Sequence, residues 1–188
     1  MMTHGDYRVR TTRESDHLRV RAFRIENATE HPISYGASLE TTLSMSEDDW
    51  RTRARRGEQT DATSVVAIER STGRWVGMMG AQDQDADGTD PVLNGVYVLP
   101  DYRGRTTGIA DLLLADILDW ASRRQAARLR LYVYEASSPA RRFYERHGFT
   151  PTGRFRPHSF APGSVLELAR PMVSPTNQPT ARGPERTQ

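Results

Sequence analysis

The strongest constraint on the fold is a strand, a proline and an amphipathic helix that follow one another between residues 92 and 124. The apolar run from Val92 to Val98 predicts a strand, which Pro100 ends. From Gly108 to Arg124, apolar residues recur at helical spacing. They predict one apolar face, formed by Ile109, Leu112, Leu113, Ile117, Leu118 and Ala121. Such a face has to be buried against another layer, which indicates an α/β arrangement.

Further strands are predicted before and after this unit. Alternating or continuous apolar runs indicate strands at 7–11, 64–68, 75–79, 129–133 and 165–169. The turn signal at 71–73 predicts a hairpin between the second and third of these strands. Because strands and helices neither alternate strictly nor segregate along the chain, we expect a mixed sheet with helices packed on it.

Capping signals predict the remaining helices. Ser46 and Asp49 mark one helix start, and Ser138 before Pro139 marks another, which Gly148 ends. Thr11 and Glu14 have capping-box spacing, so an earlier helix should follow them. Its expected apolar stripe consists of Leu18, Ala22 and Ile25.

Length and composition predict one domain, over residues 1–173, and a disordered tail at 174–188. A chain of 188 residues with 36% hydrophobic residues can bury one core. The tail is polar and shows no periodicity.

The same composition excludes several classes of protein. Cysteine is absent, which excludes disulfides, thiolate metal sites and a cysteine nucleophile. No apolar run approaches the roughly 18 residues of a membrane helix, so we expect no membrane partner. The N-terminus lacks a signal-peptide pattern, so the expected location is cytoplasmic. The five histidines show no metal-ligand spacing, so no metal is expected.

Charge is distributed unevenly between the two halves of the chain. Residues 1–100 carry 12 arginines against 16 acidic residues, whereas residues 101–188 carry 14 arginines against eight. All the basic residues are arginine, which a codon bias explains, but the asymmetry points to an anionic ligand on the second half. A nucleic-acid patch at Arg123, Arg124, Arg128 and Arg130 is the weaker alternative, because no aromatic stacking pattern accompanies it.

The loop between the predicted strand and helix has the features of a phosphate site. Unpaired N–H groups at a helix start bind phosphate, and the small Gly108 and Ala110 let an anion approach them. Arg103 and Arg105 add fixed positive charge. An ordinary connecting loop is the alternative interpretation of these residues.

Two segments together resemble the GNAT superfamily of acetyl-coenzyme A-dependent N-acetyltransferases. Residues 105–110 match the family pattern Gln/Arg-x-x-Gly-x-Gly/Ala, and residues 140–149 are similar to its Ala-x-x-Phe-Tyr-x-x-x-Gly-Phe block. The resemblance covers about residues 7–173. It implies a mixed, mostly antiparallel central sheet of six to seven strands with about four helices.

The resemblance also implies roles for the matching positions. Acetyl-CoA would be the co-substrate, with its pyrophosphate on the amides of the 105–110 loop and its pantetheine arm along the strand that contains Val96 and Val98. This strand should splay from the strand at 129–133 and leave an opening for the thioester. The implied binding residues are Val96, Tyr97, Val98, Arg103, Gly104, Arg105, Thr106, Thr107, Gly108, Ile109, Ala110, Ser137, Ala140 and Phe143.

Tyr144 occupies the position of the family's general acid, so the resemblance implies that it protonates the departing thiolate. A phenol with a pKa near 10 can protonate a thiolate whose conjugate acid has a pKa near 8.5. The alternative is a packed aromatic residue, because Ala140, Phe143 and His147 share its helical spacing.

Several positions depart from the family pattern. The loop before Gly108 is longer than usual, and an alternative register would align Arg103 with the first motif position and place Thr106 at the glycine. Ser137 stands where many members carry asparagine. No glutamate precedes Val96 on its strand, so the catalytic base is unassigned. A water chain, Glu26, Glu30 or Asp83 are the candidates.

The acidic segment from Asp83 to Pro91 allows three interpretations. Asp83, Asp85, Asp87 and Gly88 fit the first half of a calcium loop, but Asn94 replaces the glutamate at its end. A solvated hairpin turn is the favoured interpretation. Attraction of a cationic acceptor is the third.

The expected function is therefore transfer of an acetyl group to the primary amine of a small molecule by direct attack. A protein or peptide N-acetyltransferase and a non-catalytic coenzyme A-binding protein are the alternatives. Nucleic acid is not expected as a partner, and a homodimer formed by strand exchange or sheet-edge pairing is an open alternative to a monomer.

Overall fold

The computed structural model describes residues 4–31, 38–159 and 161–172. The tail predicted at 174–188 lies outside these residues, so it stays a prediction, as does the domain boundary at 173. No helix in the described ranges is long and apolar enough to cross a membrane.

One seven-stranded sheet forms the centre of the fold, and the described residues place five α-helices around it. The strands are β1 (Tyr7–Thr11), β2 (Ala62–Glu69), β3 (Trp75–Gln82), β4 (Val92–Val98), β5 (Arg128–Tyr134), β6 (Thr150–Pro157) and β7 (Ser164–Pro171). The helices are α1 (His17–Glu30), α2 (Leu39–Leu43), α3 (Glu47–Arg55), α4 (Ile109–Arg123) and α5 (Ser138–Arg146).

The strand order is β1-β2-β3-β4-β5-β7-β6. Neighbouring strands are antiparallel except β4 and β5, which run parallel. The prediction of a mixed, mostly antiparallel sheet is confirmed, and so is the β2–β3 hairpin. The crossover from β4 to β5 is made by α4, as the sequence between residues 92 and 133 predicts.

The two parallel strands separate soon after they meet. Their register covers two residue pairs, Val92 with Arg130 and Leu93 with Leu131. Immediately beyond, β4 shifts its register against β3 and Gly95 adopts a φ of 60°, a conformation that favours glycine. The second half of β4 therefore diverges from β5 and leaves an opening in the middle of the sheet.

The helices cover the sheet on two faces. α4 and α5 pack on what we call the first face, with Ile109, Leu113, Leu114, Ile117 and Ala121 fully buried. The prediction for α4 was right about the face but not about every member, because Leu112 and Leu118 are half-buried and Leu114 is in the core. α1 and α3 cover the second face, where Phe23 and Trp50 pack on strand residues.

The predicted apolar stripe of α1 is wrong. Leu18 is 63% exposed and Ala22 is also exposed, whereas Ile25, the third predicted member, is half-buried. The buried side of α1 consists instead of Val20, Phe23, Arg24, Asn27 and Ala28. The polar residues Arg24 and Asn27 on this side hide the buried face from a search of the sequence, because the amphipathic pattern assumes that buried residues are apolar.

The structure confirms some of the predicted helix caps and contradicts others. Ser46 and Asp49 form a capping box at α3, as predicted. Thr11 and Glu14 do not cap α1, because the chain first makes a short 3-10 turn in which the Asp16 carboxylate accepts from the Arg13 N–H at 2.9 Å. α5 begins at Ser138 with Ser137 as its N-cap, one residue earlier than predicted.

β6 was not predicted as a separate strand. Its eight residues are all exposed, so its side chains have no burial pattern for a sequence signal to reveal. Prolines at 151 and 157 flank a central Gly153, and β6 lies at the edge of the sheet beside β7. Proline and glycine are typical of protected edge strands.

Candidate active site

The loop between β4 and α4 has the backbone of an anion site. A short turn at Pro100–Tyr102 leads to Gly104 and Gly108, both in left-handed conformations with φ of 97° and 62°. Gly108 is the N-cap of α4. Because a left-handed residue is required at this junction, the geometry favours the register that aligns Gly108 with the motif glycine over the one that places Thr106 there.

Main-chain donors at the start of α4 are free of helical partners. The first hydrogen bond of the helix runs from the Leu112 N–H to the Gly108 carbonyl at 3.0 Å. The N–H groups of Ile109, Ala110 and Asp111 therefore have no acceptor within the helix. The Thr107 hydroxyl donates to the Tyr102 carbonyl at 2.5 Å and so holds the loop closed on itself. This end of α4 can bind a negatively charged group.

A cleft of about 840 Å³ separates this loop from α5. Six of the predicted binding residues contribute to its walls: Val98, Arg103, Gly104, Arg105, Ala110 and Phe143. Six further residues on its walls were not predicted: Tyr102, Asp111, Pro139, Arg142, Glu145 and Arg146. Four lining residues of α5 are spaced at i, i+3, i+4 and i+7 from Pro139, which is one helical face. That spacing was readable in the sequence and would have identified Arg142 and Arg146.

The arginines of the cleft differ in how they are paired. Arg146 contacts the Asp111 carboxylate at 2.5 Å, and His147 lies 2.8 Å from the same carboxylate. Arg105 and Arg142 form no ion pair with any described residue. These two guanidinium groups face the cleft with their charge uncompensated, so they suit a phosphorylated ligand.

The side chain of Arg103 turns away from the loop. Its Nε donates to the Val98 carbonyl at 2.8 Å, and its Nη2 donates to Glu30 of α1 at 3.0 Å. Tyr97 donates its hydroxyl to the same Glu30 carboxylate. Burial, together with the hydrogen bond to Glu30, raises the pKa of Tyr97. The side chain of Tyr97 is therefore held by Glu30, and its predicted role in binding stays a prediction about its main chain.

The other predicted binding residues lie around the cleft rather than on its walls. Ile109 is fully buried under the loop, and Val96 and Ala140 pack partly buried against the core. Ser137 is the N-cap of α5, but its side chain makes no capping hydrogen bond. Thr106 and Thr107 contribute backbone to the loop.

Tyr144 packs as the aromatic alternative predicts, and its role as general acid stays a prediction. It is 6% exposed and packs edge-on against Phe143 and Phe149, with ring centroids 5.2 and 5.7 Å away. Burial raises the pKa of its phenol. Within the described residues its hydroxyl has no hydrogen-bond partner, and the raised pKa keeps the phenol protonated at neutral pH.

The candidate proton acceptors lie in different parts of the structure. Asp83 follows β3 at the end where β4 begins, and its carboxylate is paired with Arg124. That position is the far end of β4 from the cleft residue Val98. Glu30 contacts the side chain of Tyr97 directly, and Glu26 is exposed on α1. The arrangement favours Glu30 over Asp83.

The acidic segment is the hairpin turn between β3 and β4, as predicted, but its carboxylates are paired rather than free. Asp85 pairs with Arg130 at 2.7 Å, Asp87 with Arg156 at 2.9 Å and Asp90 with Arg128 at 2.7 Å. In the described part of the chain, no group of three or more acidic or histidine residues is arranged to hold a metal ion. Calcium binding and attraction of a cationic acceptor both need free carboxylates, so neither interpretation is supported.

These pairs also explain much of the charge asymmetry. Acidic residues of the first half neutralise arginines of the second half, among them the members of the proposed nucleic-acid patch, Arg124, Arg128 and Arg130. Arg123 pairs with Asp119 on its own helix. Much of the positive charge of the second half is therefore paired inside the fold, whereas Arg105 and Arg142 on the cleft walls stay without an acidic partner among the described residues.

A family model for acetyltransferases of the GNAT family matches residues 24–149. Solved structures with the same fold include yncA, a putative acetyltransferase from Salmonella typhimurium with its cofactor acetyl-CoA, with 17% identity and a TM-score of 0.71 over 94% of this chain and 99% of that chain. Ribosomal-protein-S5-alanine acetyltransferase from Vibrio fischeri is similar at 13% identity and a TM-score of 0.71, covering 91% and 96% of the two chains.

A spermidine N-acetyltransferase chimera from Vibrio cholerae SpeG and hSSAT is similar at 14% identity and a TM-score of 0.66, covering 89% of this chain and 96% of that chain. A comparison with curated proteins gives no significant match. At these identities the solved structures establish the shared fold.

Proposed function

This chain belongs to the acetyltransferase (GNAT) family, and on that premise we propose that it transfers the acetyl group of acetyl-CoA to the primary amine of a small molecule. One observation carries the proposal: the cleft between the β4–α4 loop and α5 joins free main-chain donors with two uncompensated arginines. A diphosphate needs this combination of N–H groups and fixed cations.

The residues present fit coenzyme A. The amides at the start of α4 and the guanidinium groups of Arg105 and Arg142 would hold its phosphates. The diverging half of β4 would offer main-chain groups of Val96 and Val98 to the amides of its pantetheine arm, since β5 leaves that edge unpaired. When bound, acetyl-CoA supplies an activated acetyl thioester.

The protein assists direct attack by the amine in three ways. The opening between β4 and β5 holds the amine beside the thioester, which replaces a bimolecular encounter by a positioned one. A main-chain N–H of β4 polarises the thioester carbonyl. The Tyr144 hydroxyl donates its proton to the sulfur as the carbon–sulfur bond breaks, so that coenzyme A leaves as a thiol.

The proton that the amine loses needs an acceptor on the opposite side of β4 from Tyr144. We assign this role to Glu30, which reaches β4 through the hydroxyl of Tyr97 and is held by Arg103 at 3.0 Å. A carboxylate in this place accepts the proton directly or through one water.

The test has two stages. Titration calorimetry with acetyl-CoA checks the cleft, and release of free thiol in the presence of an amine panel checks the transfer; the chain has no cysteine to react with the thiol reagent. We expect heat of binding in the first stage and amine-dependent thiol release in the second. Absence of binding contradicts the whole proposal, whereas binding without transfer to any amine indicates a non-catalytic coenzyme A-binding protein.

A peptide substrate is tested in the same assay. Peptides with a free N-terminal amine stand for the protein acceptor, as a structural neighbour is named for acetylating a ribosomal protein. A rate with peptides above that with all small amines would reassign the acceptor class.

A further inference from the structure

Helix α1 carries apolar residues on its outer side as well as on its buried side. Leu18, Ala22 and Ile25 follow one another at intervals of four and three residues, so they share one face of the helix. Leu18 is 63% exposed, Ala22 is exposed and Ile25 is half-buried. The residues of α1 that pack on the sheet lie on the opposite side, so the described residues leave most of this face uncovered. We call these three residues the outer stripe of α1.

Exposed apolar side chains are concentrated near the outer stripe. In the described part of the chain, the large ones are Leu18, Leu39, Leu43 and Phe155. Two of them, Leu39 and Leu43, belong to α2, which packs beside α1. Four residues after Leu43, the Glu47 carboxylate lies 3.6 Å from the His17 ring at the start of α1. α2 therefore ends near the start of α1, and its leucines add to the apolar surface there.

The charged residues beside the outer stripe differ between its two ends. Arg19 and Arg21 flank it at the start of α1, whereas Glu26 flanks it toward the end of the helix. All three residues are exposed. A face that is basic at one end and acidic at the other is complementary to itself after a rotation of 180°. Such self-complementarity is the property of a two-fold interface between identical chains.

We propose that two copies of this chain form a two-fold dimer in which their α1 helices pack antiparallel along the outer stripe. An antiparallel pairing centred on Ala22 places Leu18 against Ile25 of the partner subunit. It also places Arg19 against the partner's Glu26, because both pairs lie three and four residues on either side of Ala22. A parallel pairing would place arginine against arginine, so the charges select the antiparallel order. The inference does not depend on the proposed function.

The edges of the sheet are less suited to self-association. β6 contains two prolines and a glycine, and it carries the exposed Arg154 and Arg156. β1, at the other edge, has five residues, of which two are arginines. Pairing either edge with its own copy would bring arginines together, and the prolines of β6 cannot donate hydrogen bonds to a new strand. The helix face therefore fits a second copy better than the strand edges do.

The size of this surface determines the affinity that we expect. α1 has 14 residues, and a helix of that length extends over about 21 Å. Two such helices with the neighbouring leucines form an interface at the low end of the specific range, below about 1,200 Å² in total. We therefore expect a reversible dimer with a Kd in the micromolar range.

The first experiment measures association of the intact chain by sedimentation equilibrium at low salt, with concentrations into the hundreds of micromolar. We expect a monomer–dimer equilibrium whose Kd rises at least about tenfold in Leu18→Asp. Aspartate is favourable near the start of a helix, so α1 should stay folded in this variant. Phe155→Asp is the matched control, because Phe155 is 67% exposed but lies on β6. A monomeric wild-type chain, or dissociation caused by Phe155→Asp and not by Leu18→Asp, overturns the inference.

Charge reversal tests the antiparallel order. In Arg19→Glu the new carboxylate meets the partner's Glu26, and in Glu26→Arg the new guanidinium meets the partner's Arg19. Each variant alone should dimerise at least about tenfold more weakly than the wild-type chain. An equimolar mixture of the two should form a heterodimer of about wild-type affinity, because every contact then joins opposite charges. A mixture that associates no better than its components contradicts the proposed pairing.

Cross-linking locates the two-fold axis. The chain has no cysteine, so Ala22→Cys gives each copy one thiol, at the centre of the outer stripe. A short bis-maleimide should join two copies of this variant into a covalent dimer on a denaturing gel. Ser122→Cys is the control, because Ser122 is exposed on α4, which packs on the other face of the sheet. Equal cross-linking of the two variants, or none with Ala22→Cys, overturns the assignment to α1.

Discussion

The two faces of the sheet are built from different kinds of residue. β5 shows the contrast in one strand, because Leu129, Leu131 and Val133 join the apolar core of the first face while Arg130 and Tyr132 point to the second. β7 repeats it, with Glu167 between Leu166 and Leu168. At β5 and β7 the second face therefore buries a hydrogen-bonded set of ions where the first face buries hydrocarbon, whereas under α1 and α3 the second face buries the apolar cluster around Phe23 and Trp50.

The two faces also differ in how their polar groups are supplied. On the first face, the polar groups of the cleft include main-chain N–H groups of one continuous loop, and any sequence that makes the loop can supply them. On the second face, the buried polar groups are side chains such as Arg24, Arg130 and Glu167, which must be fixed in place by other polar groups.

The largest expected effect tests whether the ions of the second face are essential to stability. Arg130 is 1% exposed, and its guanidinium bonds Glu167 at 3.0 Å and Asp85 at 2.7 Å. Arg130→Met leaves both carboxylates without their buried partner and should lower the free energy of unfolding by about 3–5 kcal/mol. Urea denaturation measures this loss. Arg128→Met, which removes a half-exposed pair with Asp90, should cost about 1 kcal/mol or less. Equal losses of unfolding free energy in the two variants would contradict the expectation that the buried ion pair contributes more than the surface pair.

The next effect tests the first face as the site of chemistry. Tyr144→Phe removes a hydroxyl that has no described partner, so the fold should tolerate it. We expect kcat to fall by about a hundredfold to a thousandfold, the usual contribution of a positioned general acid. The Kd of acetyl-CoA from calorimetry should stay within about twofold. Unchanged turnover would leave Tyr144 as a packed aromatic residue.

A smaller effect tests the cations of the cleft. Arg142→Gln and Arg105→Gln should each raise the Kd of acetyl-CoA by about tenfold, since each removes a charge-assisted contact to phosphate. The same ligand without its phosphates, acetyl-pantetheine, should bind all variants alike. Arg123→Gln is the control, because Arg123 is exposed and pairs with Asp119 at the far end of α4. A comparable loss in that variant would mean that net charge, rather than the cleft, determines affinity.

The smallest effect is the acid sensitivity of the second face. Burial alone would raise the pKa of Glu167, but hydrogen bonds from Thr152, Arg130 and Tyr132 outweigh it and the pKa is lowered. A carboxyl whose pKa is lower in the folded state stabilises the fold above its unfolded pKa, about 4.3, and loses that contribution as the pH falls through the folded value. The free energy of unfolding should therefore decline below about pH 4.3, and Glu167→Gln should reduce that decline. Equal slopes in the two proteins would contradict the role of Glu167.

The sequence predicted the first face well because its signals are local. The helix 109–123, the Gly108 turn and the α5 motif each lie within about one element, where capping, periodicity and conformational preference act directly. The boundaries of β4 were also predicted to the residue, since Pro100 and the preceding loop limit the apolar run on both sides.

The second face was poorly predicted because its partners are distant in the chain. Arg24 and Asn27 occupy the buried side of α1, where a pattern of apolar residues was sought. The aspartates from 83 to 90 were interpreted as a solvated turn, because their arginine partners lie about 40 residues or more further along the chain. Ion pairs between residues so far apart in the sequence depend on the order of the strands in the sheet, and no local sequence pattern predicts that order.

That sheet order has a consequence for how the chain can assemble. β7 follows all the other strands in the chain, yet it lies between β5 and β6 in the sheet. Until residues 164–171 have been translated, β5 keeps an open edge and Arg130 lacks one of its two carboxylates. A nascent chain that stops short of β7 therefore exposes an unpaired strand edge, and the sheet can become complete only after this late insertion.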